Sequence, residues 1–183
     1  LGRAEAMKLV HSPKSPEAAQ ASQTRLRFEE VFLLQLSLLQ HKNKVTKDLP
    51  GVRFELVGES FNQFFHEKLP FELTGAQKRV LREIRADLNT GRHMNRLLQG
   101  DVGSGKTIVA LLCALLAIDN GYQVAIMAPT EILATQHFES FSGLLKGLPV
   151  KVKLLTGSTK TKERKVLHEE LETIKTELLV TAQ

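Results

Sequence analysis

The stretch GDVGSGKT, residues 100–107, constrains this chain more than any other part of its sequence. It matches the pattern G-x-x-x-x-G-K-[ST] at every fixed position, and that pattern describes a loop that wraps around nucleotide phosphates. Glycine lets the backbone come close to the phosphates with its N–H groups pointing inward, and the helix that follows attracts anions at its N-terminus. The motif therefore predicts a strand, a loop and a helix in that order.

The loop pattern also assigns roles to single residues. Lys106 is expected to reach the β- and γ-phosphates and the Thr107 hydroxyl to bind Mg²⁺, so these two are the predicted catalytic residues. The predicted nucleotide-binding residues of the loop are Gly100, Asp101, Val102, Gly103, Ser104, Gly105, Lys106 and Thr107. The pattern thus indicates a nucleoside triphosphate held together with Mg²⁺.

Short apolar segments alternate with helical patterns in the second half of the chain. The predicted strands are NRLLQ before the loop, QVAIMA, KVKLL and ELLVT, and the predicted helices cover about residues 106–120, 131–145 and 161–175. Alternation of this kind predicts an α/β fold, with a parallel sheet and helices on both faces. Ile132 and Leu133 are expected to pack in its core.

Helical patterns dominate the first half of the chain. Ser15 is the predicted N-cap of a helix that starts at Pro16 and continues, without glycine or further proline, to about Asn43. Because this helix carries more apolar side chains than a lone helix can expose, Phe28 and Phe32 among them, it is expected to pack on a neighbouring domain. HKNKVTK and LPGVRF then form a predicted connector.

Two further helices are predicted before the glycine loop. A short one covers about residues 59–68, ahead of Pro70. The second lies in LTGAQKRVLREIRADLN, whose apolar residues share one face at helical spacing. These residues are Ala76, Val80, Leu81, Ile84 and Leu88.

The composition excludes several classes of protein. With 42% hydrophobic residues the chain has enough apolar side chains for a core, yet no apolar run approaches the roughly 20 residues of a membrane span. A single cysteine, Cys113, excludes an internal disulfide and fits a reducing compartment. The first residue is Leu1 rather than Met, so the chain is expected to be a piece of a longer protein.

Basic residues concentrate in one segment. Between Lys146 and Lys165 there are seven of them against one acid, Glu163. Such a segment indicates either a surface that meets a polyanion or an ordinary solvated face.

Three longer stretches carry a resemblance to a known family. LPFELTGAQKRVLREI, MNRLLQGDVGSGKTIVA and MAPTEILATQH occur in the order and spacing of superfamily-2 helicases, and their wording resembles the RecG family of bacterial ATP-dependent DNA helicases. HSP…RLRFEEVFLLQL also resembles the helical connector between the DNA-wedge domain and the motor of that family. The resemblance implies that residues 1–50 are this connector and residues 51–183 the N-terminal part of a RecA-like, ATP-binding motor lobe.

The resemblance also implies a function. The family couples ATP hydrolysis to movement on branched DNA, with fork reversal and branch migration of Holliday junctions, in recombination and repair in the bacterial cytoplasm. The expected cofactors are ATP and Mg²⁺. The expected partners are branched DNA and the wedge domain and second motor lobe of the parent chain, and no membrane is involved.

Gln77 has two competing roles. It matches the family's adenine-reading glutamine, whose amide can pair with a donor and an acceptor of the base. Thr74-x-x-Gln77 is equally the pattern of a helix capping box. The two roles can coexist in one side chain.

Two segments are implied as contacts to the DNA backbone, which position a strand without reading its bases. APTEILATQ follows a strand end and contacts DNA in the family, which here implies Pro129, Thr130 and Glu131. LLTGSTK ends the next strand at the same edge of the sheet, which adds Thr156, Gly157 and Ser158.

Three other functions compete with this one. A P-loop kinase or transporter ATPase lacks a segment like APTEILATQ after the second strand. A transcription-repair coupling translocase shares the GDVG lead-in, but usually has a bulky aromatic residue at the position of Ser104. A nucleotide-binding module without turnover is expected for this chain alone, since no apolar strand ending in Asp-Glu follows the loop. VTAQ stands where RecG-like chains have a GTHAL-type turn, so its residues 180–183 receive no role.

Overall fold

The structure, a computed structural model, describes residues 1–48, 50–173 and 176–182. The chain divides into two compact units, Leu1–Pro50 and Gly51–Gln183. Within the described residues no helix is both long enough and apolar enough to cross a lipid bilayer.

The first unit consists of two helices, α1 (Arg3–His11) and α2 (Pro16–Asp48). Helix α1 was not predicted from the sequence. The predicted end of the long helix at Asn43 is wrong, because α2 continues past it and makes HKNKVTK helical rather than a connector. The reason is that no helix-breaking residue occurs in this segment before Pro50, and proline disfavours the helical conformation of the residue ahead of it.

Polar contacts define the start of α2 and its packing on α1. The Ala18 amide donates to Ser15 Oγ at 3.2 Å, which confirms the predicted N-cap. Glu29 pairs with Arg3 of α1 at 3.1 Å and with Arg25 one turn earlier at 2.6 Å, and so it links the two helices. Phe28 stays 63% exposed, and the packing of this apolar face on a further domain stays a prediction.

The second unit contains the remaining elements. They are α3 (Glu59–Gln63), a π-helical turn (Phe64–Lys68), α4 (Gly75–Leu88), α5 (Lys106–Asp119), β1 (Val124–Ala128), α6 (Glu131–Leu144), β2 (Val152–Leu155), α7 (Thr161–Glu172) and β3 (Leu178–Ala182). These bounds agree with the predicted helices and with the last three predicted strands to within a few residues. The predicted end of the last helix at residue 175 lies outside the described residues.

The three strands form one parallel sheet in the order β1-β3-β2. Val124, Leu178 and Val152 stand side by side in its register. The connection through α6 leads from β1 across to β2, and the connection through α7 leads back from β2 to β3. Parallel crossovers are right-handed as a rule, so connections that run in opposite directions are expected to place α6 and α7 on opposite faces of the sheet. The predicted α/β fold is confirmed.

Burial distinguishes the two faces. Leu178 and Val180 point to one face and are fully buried in the core, together with Phe141 of α6. Lys153 points to the other face, since successive side chains of a strand alternate. Its Nζ lies 3.1 Å from Glu170 of α7, which places that helix over the more polar face.

Three helices ahead of the sheet support the glycine loop. Leu111, Leu112 and Leu115 of α5 are fully buried, and α3 and α4 both pack against this helix. In α4 the predicted apolar face is buried at Leu81 and Ile84 and partly buried at Val80 and Leu88. Ala76 is an exception, because it lies exposed in the first turn.

One predicted strand is not present. NRLLQ, residues 95–99, is irregular, and Leu97 is 86% exposed while Leu98 is half-buried. A strand needs a neighbour that completes its hydrogen-bond ladder. In the described residues this segment pairs with none of the three strands. Its apolar residues are therefore not sufficient to form a strand.

The prediction of core positions for Ile132 and Leu133 is wrong. Ile132 is 72% exposed and Leu133 is 38% exposed. The buried face of α6 consists of Ala134 and Phe141, with the partly buried Phe138 between them, and these residues follow helical spacing. Ile132 and Leu133 lie in the first turn, beside that face, at the edge of the sheet.

Candidate functional site

The glycine loop turns twice before α5 begins. Gly103 and Gly105 both have φ of +79°, a conformation that strongly favours glycine. The Ser104 amide donates to the Asp101 carbonyl at 3.2 Å and closes the turn between them. Val102 stands at its tip and is fully exposed. The loop therefore has the tight, glycine-dependent path that its sequence predicts.

The loop ends at the N-terminus of a well-packed helix. Gly105 is the N-cap of α5 and offers no side chain to its first amides, so the amides of Lys106 and Thr107 have no intrahelical partner. Such free amides and the helix dipole favour an anion at this position. The buried leucines of α5 hold this helix end rigidly on the core.

Lys106 lies over the loop. Its Nζ donates to the carbonyls of Gly100 at 2.8 Å and Asp101 at 2.6 Å, and it lies 3.4 Å from Ser104 Oγ. In the described residues it makes no ion pair with a carboxylate. The ammonium charge at the mouth of the loop is therefore met by carbonyl and hydroxyl oxygens rather than by a carboxylate, and phosphate oxygens can replace these as stronger acceptors.

Gln77 connects α4 to the glycine loop. Its Oε1 accepts from the Thr74 amide at 2.8 Å while Thr74 Oγ1 accepts from the Gln77 amide at 3.2 Å, so the capping box predicted from the sequence is present. Its Nε2 also donates to the Ser104 carbonyl at 2.8 Å. This second bond is a contact that the sequence analysis missed, and it anchors the loop next to Gly105.

The positive φ of Gly105 favours glycine at this position. A Cβ atom there would also overlap Gln77 Nε2, so that side chain would have to move away from the Ser104 carbonyl. Gln77 keeps one further N–H donor and one further lone pair after these bonds. Adenine recognition by that remaining capacity stays a prediction.

The two predicted DNA-contact segments meet at one edge of the sheet. Pro129, Thr130 and Glu131 follow the end of β1, and Thr156, Gly157 and Ser158 follow the end of β2. The Glu131 carboxylate accepts from the Ser158 amide at 3.1 Å and from Ser158 Oγ at 3.1 Å. Because the carboxyl ends of parallel strands share an edge, segments 27 residues apart become neighbours.

Residues at this edge differ in what they offer to a ligand. Pro129, Thr130, Gly157 and Ser158 are exposed, whereas Thr156 is only 7% exposed. Thr130 also caps α6, since its Oγ1 accepts from the Leu133 amide at 3.3 Å. A polar edge with exposed hydroxyls and a helix N-terminus suits a phosphate backbone, although DNA contact by these residues stays a prediction.

Thr156 organises its loop from within. Its amide donates to Thr159 Oγ1 at 2.9 Å, and its hydroxyl lies 2.8 Å from Ser158 Oγ. Its carbonyl accepts from Arg164 of α7 at 2.8 Å. In the sequence, Arg164 was only one charge of the basic segment. Its place one turn into the helix that follows the loop was the signal for this bracing role.

Part of the basic segment lies beside this edge. A cavity of about 560 Å³ is lined by Thr156, Ser158 and Lys162, among other residues. Lys153 is neutralised by Glu170, and its hydrogen bond is the main cause that lowers the pKa of that carboxyl. Lys160, Lys162 and the adjacent Lys165 are exposed. The cations nearest the edge are thus available to a polyanion.

The start of α5 offers a hydroxyl ligand that suits Mg²⁺ bound together with a nucleotide. Thr107 is half-buried at the start of α5, next to the loop amides. Among the described residues no group of three or more His, Cys, Asp or Glu side chains can hold a metal ion. A hydroxyl ligand fits Mg²⁺, which takes few protein ligands and completes its shell with phosphate oxygens and water.

The family model for DEAD/DEAH box helicases matches residues 74–182. This range runs from the cap of α4 through the glycine loop to the end of β3. It therefore contains all of the site residues described above.

Individual relatives carry the name ATP-dependent DNA helicase RecG. The protein of Synechocystis sp. is 45% identical over 93% of this chain and 20% of its own length, and that of Bacillus subtilis is 45% identical over 96% and 26%. The Aquifex aeolicus protein is 51% identical over 79% and 18%. The chain thus spans about a quarter or less of the length of these relatives.

A solved structure matches as well. The structure of RecG bound to a three-way DNA junction superposes with a TM-score of 0.86 and 36% identity, over 97% of this chain and 24% of that chain. The likeness extends over nearly all of this chain, so it includes the helical unit as well as the sheet.

Proposed function

Because the chain belongs to the DEAD/DEAH box helicase family, we propose that it is the ATP-gripping part of a RecG-type DNA helicase that acts on branched DNA. One observation carries the proposal. Gln77 and Lys106 both bond to the carbonyls of the glycine loop, so the loop, the base-side glutamine and the phosphate-side lysine form one connected unit.

The residues of this unit have separate tasks in binding ATP. The loop amides and the α5 N-terminus bind phosphate oxygens, and Lys106 exchanges the Gly100 and Asp101 carbonyls for the β- and γ-phosphates. Thr107 would hold Mg²⁺, which would neutralise charge on the phosphates when bound. Gln77 orients the adenine with its unused donor and acceptor while its other atoms keep the loop in place.

The sheet edge supplies the second half of the proposal. Pro129, Thr130, Gly157 and Ser158 contact the DNA backbone there, and Glu131 braces the two segments rather than contacting phosphate. A carboxylate facing phosphate would be repelled, and its two hydrogen bonds to Ser158 hold it instead against the neighbouring loop. Lys160 and Lys162 add the long-range attraction to DNA.

In the whole protein these parts would serve a motor on branched DNA. We propose fork reversal and branch migration of Holliday junctions, in recombination and repair, as the reactions of that motor in the bacterial cytoplasm. Support comes from relatives named RecG and from the RecG structure with a three-way DNA junction. Residues 1–50 act in this proposal as the connector to a wedge domain, and residues 51–183 as the first part of motor lobe 1.

Calorimetric titration with ATP and Mg²⁺ tests the nucleotide grip. Lys106→Ala is expected to weaken ATP binding by about ten-fold or more, because it removes a charge-assisted contact to the phosphates. Lys146→Ala removes an equal charge at an exposed position away from the loop and serves as the matched control. Equal affinities of the two variants for ATP would show that this loop is not the site.

A second titration tests the sheet edge. Binding of a fluorescent three-way junction is measured at several salt concentrations for the unchanged chain and for Lys160→Gln with Lys162→Gln. In the double variant, the slope of the logarithm of the binding constant against the logarithm of the salt concentration should become less steep. The decrease should correspond to about one to two fewer released counterions. An unchanged slope would place the DNA elsewhere on the molecule.

A further inference from the structure

A cavity of about 330 Å³ opens where α3, α4 and α5 meet, away from the glycine loop and the sheet edge. Its inner wall consists of buried side chains, Leu73, Leu81 and Leu116. Phe61 and Phe65 form a second wall, with parallel rings whose centroids lie 5.9 Å apart. The interior is therefore apolar and already shaped in the second unit.

Cations surround the opening. Lys78, Arg82 and Arg85 line the cavity and occupy successive turns on one side of α4. All three are exposed, and none makes an ion pair in the part of the chain that the structure describes. Arg79 on the same helix differs, since it reaches Glu83 at 4.0 Å and does not line the cavity.

The acids near this rim do not neutralise it. Glu55 lines a neighbouring cavity together with Arg82 and Arg85, but the ion pairs of the described residues include none between it and either arginine. Glu83 and Asp87 are engaged by Arg96 at 2.8 and 2.5 Å. The rim thus keeps an excess of positive charge around an apolar interior.

This combination selects the chemistry of a ligand. A nucleic acid backbone would use the cations but not the apolar interior, and the two phenylalanine rings stack on each other and pack partly buried against the core. A peptide can use both, with one large apolar side chain in the cavity and carboxylates on the rim. A ligand that uses both features must carry an apolar side chain and carboxylates close together, as an acidic, amphipathic peptide segment does.

We propose that this pocket, formed by Phe61, Phe65, Leu81 and the cations Lys78, Arg82 and Arg85, is a docking site for an acidic peptide segment of a partner protein. The segment inserts one aromatic or large aliphatic side chain between Phe61 and Leu81. Its aspartates or glutamates pair with Arg82 and Arg85. Gln77 points to the glycine loop while Lys78 lines the pocket, so α4 serves ATP on one side and a partner on the other.

The test uses fluorescence polarisation of a labelled short peptide in which aspartates flank a single phenylalanine. Arg82→Glu with Arg85→Glu is expected to weaken its binding by about ten-fold or more, because two attractive contacts become repulsive. Arg79→Glu carries the same change of charge on the same helix outside the pocket, and it should alter the affinity by about two-fold at most. Arg82→Gln with Arg85→Gln gives a milder pair of substitutions in case the charge reversal disturbs folding, which circular dichroism monitors.

Two further measurements separate the pocket from general attraction between charges. A peptide with alanine in place of the phenylalanine should bind about ten-fold more weakly, since its anchor is lost. Duplex DNA should not compete with the peptide, and ATP affinity should stay the same in all variants. Equal loss in Arg79→Glu, indifference to the phenylalanine, competition by DNA, or no peptide binding at millimolar concentration would each overturn the proposal, whatever the ATP titrations show.

Discussion

Replacing Gln77 by alanine should reduce the stability of the second unit and its affinity for ATP together. The side chain accepts from the Thr74 amide at 2.8 Å and donates to the Ser104 carbonyl at 2.8 Å. A hydrogen bond contributes about 0.5–1.5 kcal/mol net, and both of these lie at the surface, where the lower half of that range applies. The free energy of unfolding should therefore fall by about 1–2 kcal/mol, which lowers the Tm by roughly 3–6 °C for a chain of this size.

The loss of ATP affinity has a separate cause. Without the bond from Nε2 the Ser104 carbonyl is released, and the loop must be ordered when the nucleotide binds. Loss of one such contact corresponds to a weakening of about two- to ten-fold. Loss of an adenine contact would add to this and would also reduce the preference for ATP over GTP.

Gln77→Glu separates the two roles of the side chain. Glutamate keeps the acceptor oxygen of the capping box, and glutamate at this position is itself a standard partner in that motif. It loses the Nε2 donor and brings a carboxylate next to the Ser104 carbonyl. Stability should therefore fall less than in Gln77→Ala, whereas ATP affinity should fall at least as much.

Thermal unfolding followed by circular dichroism and calorimetric titrations with ATP and GTP measure both effects. The loop anchor is refuted if Gln77→Ala lowers the Tm but leaves the affinity for ATP unchanged. The adenine contact is refuted if the ratio of the affinities for ATP and GTP is the same in the unchanged chain and in both variants. If both are refuted, capping alone accounts for the residue.

Three further predictions concern turnover, pH and reactivity. The chain by itself should bind ATP and release essentially no phosphate, even with forked DNA. The reason is that the loop and Lys106 neutralise the charge of the transferred phosphoryl group from one side only. Phosphate release that DNA stimulates and Lys106→Ala abolishes would contradict this prediction. The pKa of Glu170 is held below its usual value of about 4.5 chiefly by its hydrogen bond to Lys153, so its contribution to stability is present above that value and lost as the pH falls further. Urea unfolding at successive pH values should show a smaller acid loss in Glu170→Gln. Burial raises the pKa of the Cys113 thiol to about 11, so Ellman's reagent should react with it at pH 8 only after unfolding, and rapid reaction of the folded chain would refute that.

Local sequence determined the features that depend on neighbouring residues. The path of the glycine loop follows from Gly103 and Gly105, whose positive φ values need no distant partner. The capping box of α4 joins residues three apart, and the amphipathic face of that helix repeats at helical spacing. The alternation of strands and helices predicted a parallel sheet for the same reason, since each element is recognisable within its own segment.

Tertiary structure decided what depends on neighbours far apart in the chain. NRLLQ has the apolar residues that are typical of a strand, but a strand also needs a neighbour to pair with. None of β1, β2 and β3 pairs with this segment. Ile132 and Leu133 are apolar, yet Ala134 and Phe141 occupy the side of α6 that packs against the sheet. Periodicity shows which residues of one element share a face, whereas the fold decides which of its faces is buried.

The links within the site are of the same kind. Gln77 reaches Ser104 and Glu131 reaches Ser158, each across 27 residues of sequence. The pocket between Phe61 and Leu81 forms only where three helices meet. The sequence by itself determined which residues are chemically suited to nucleotide and DNA, because residue type and local spacing carry that information. Which of them touch was decided by the strand order and by the packing of α3 and α4 on α5, since only these bring distant segments within hydrogen-bond distance.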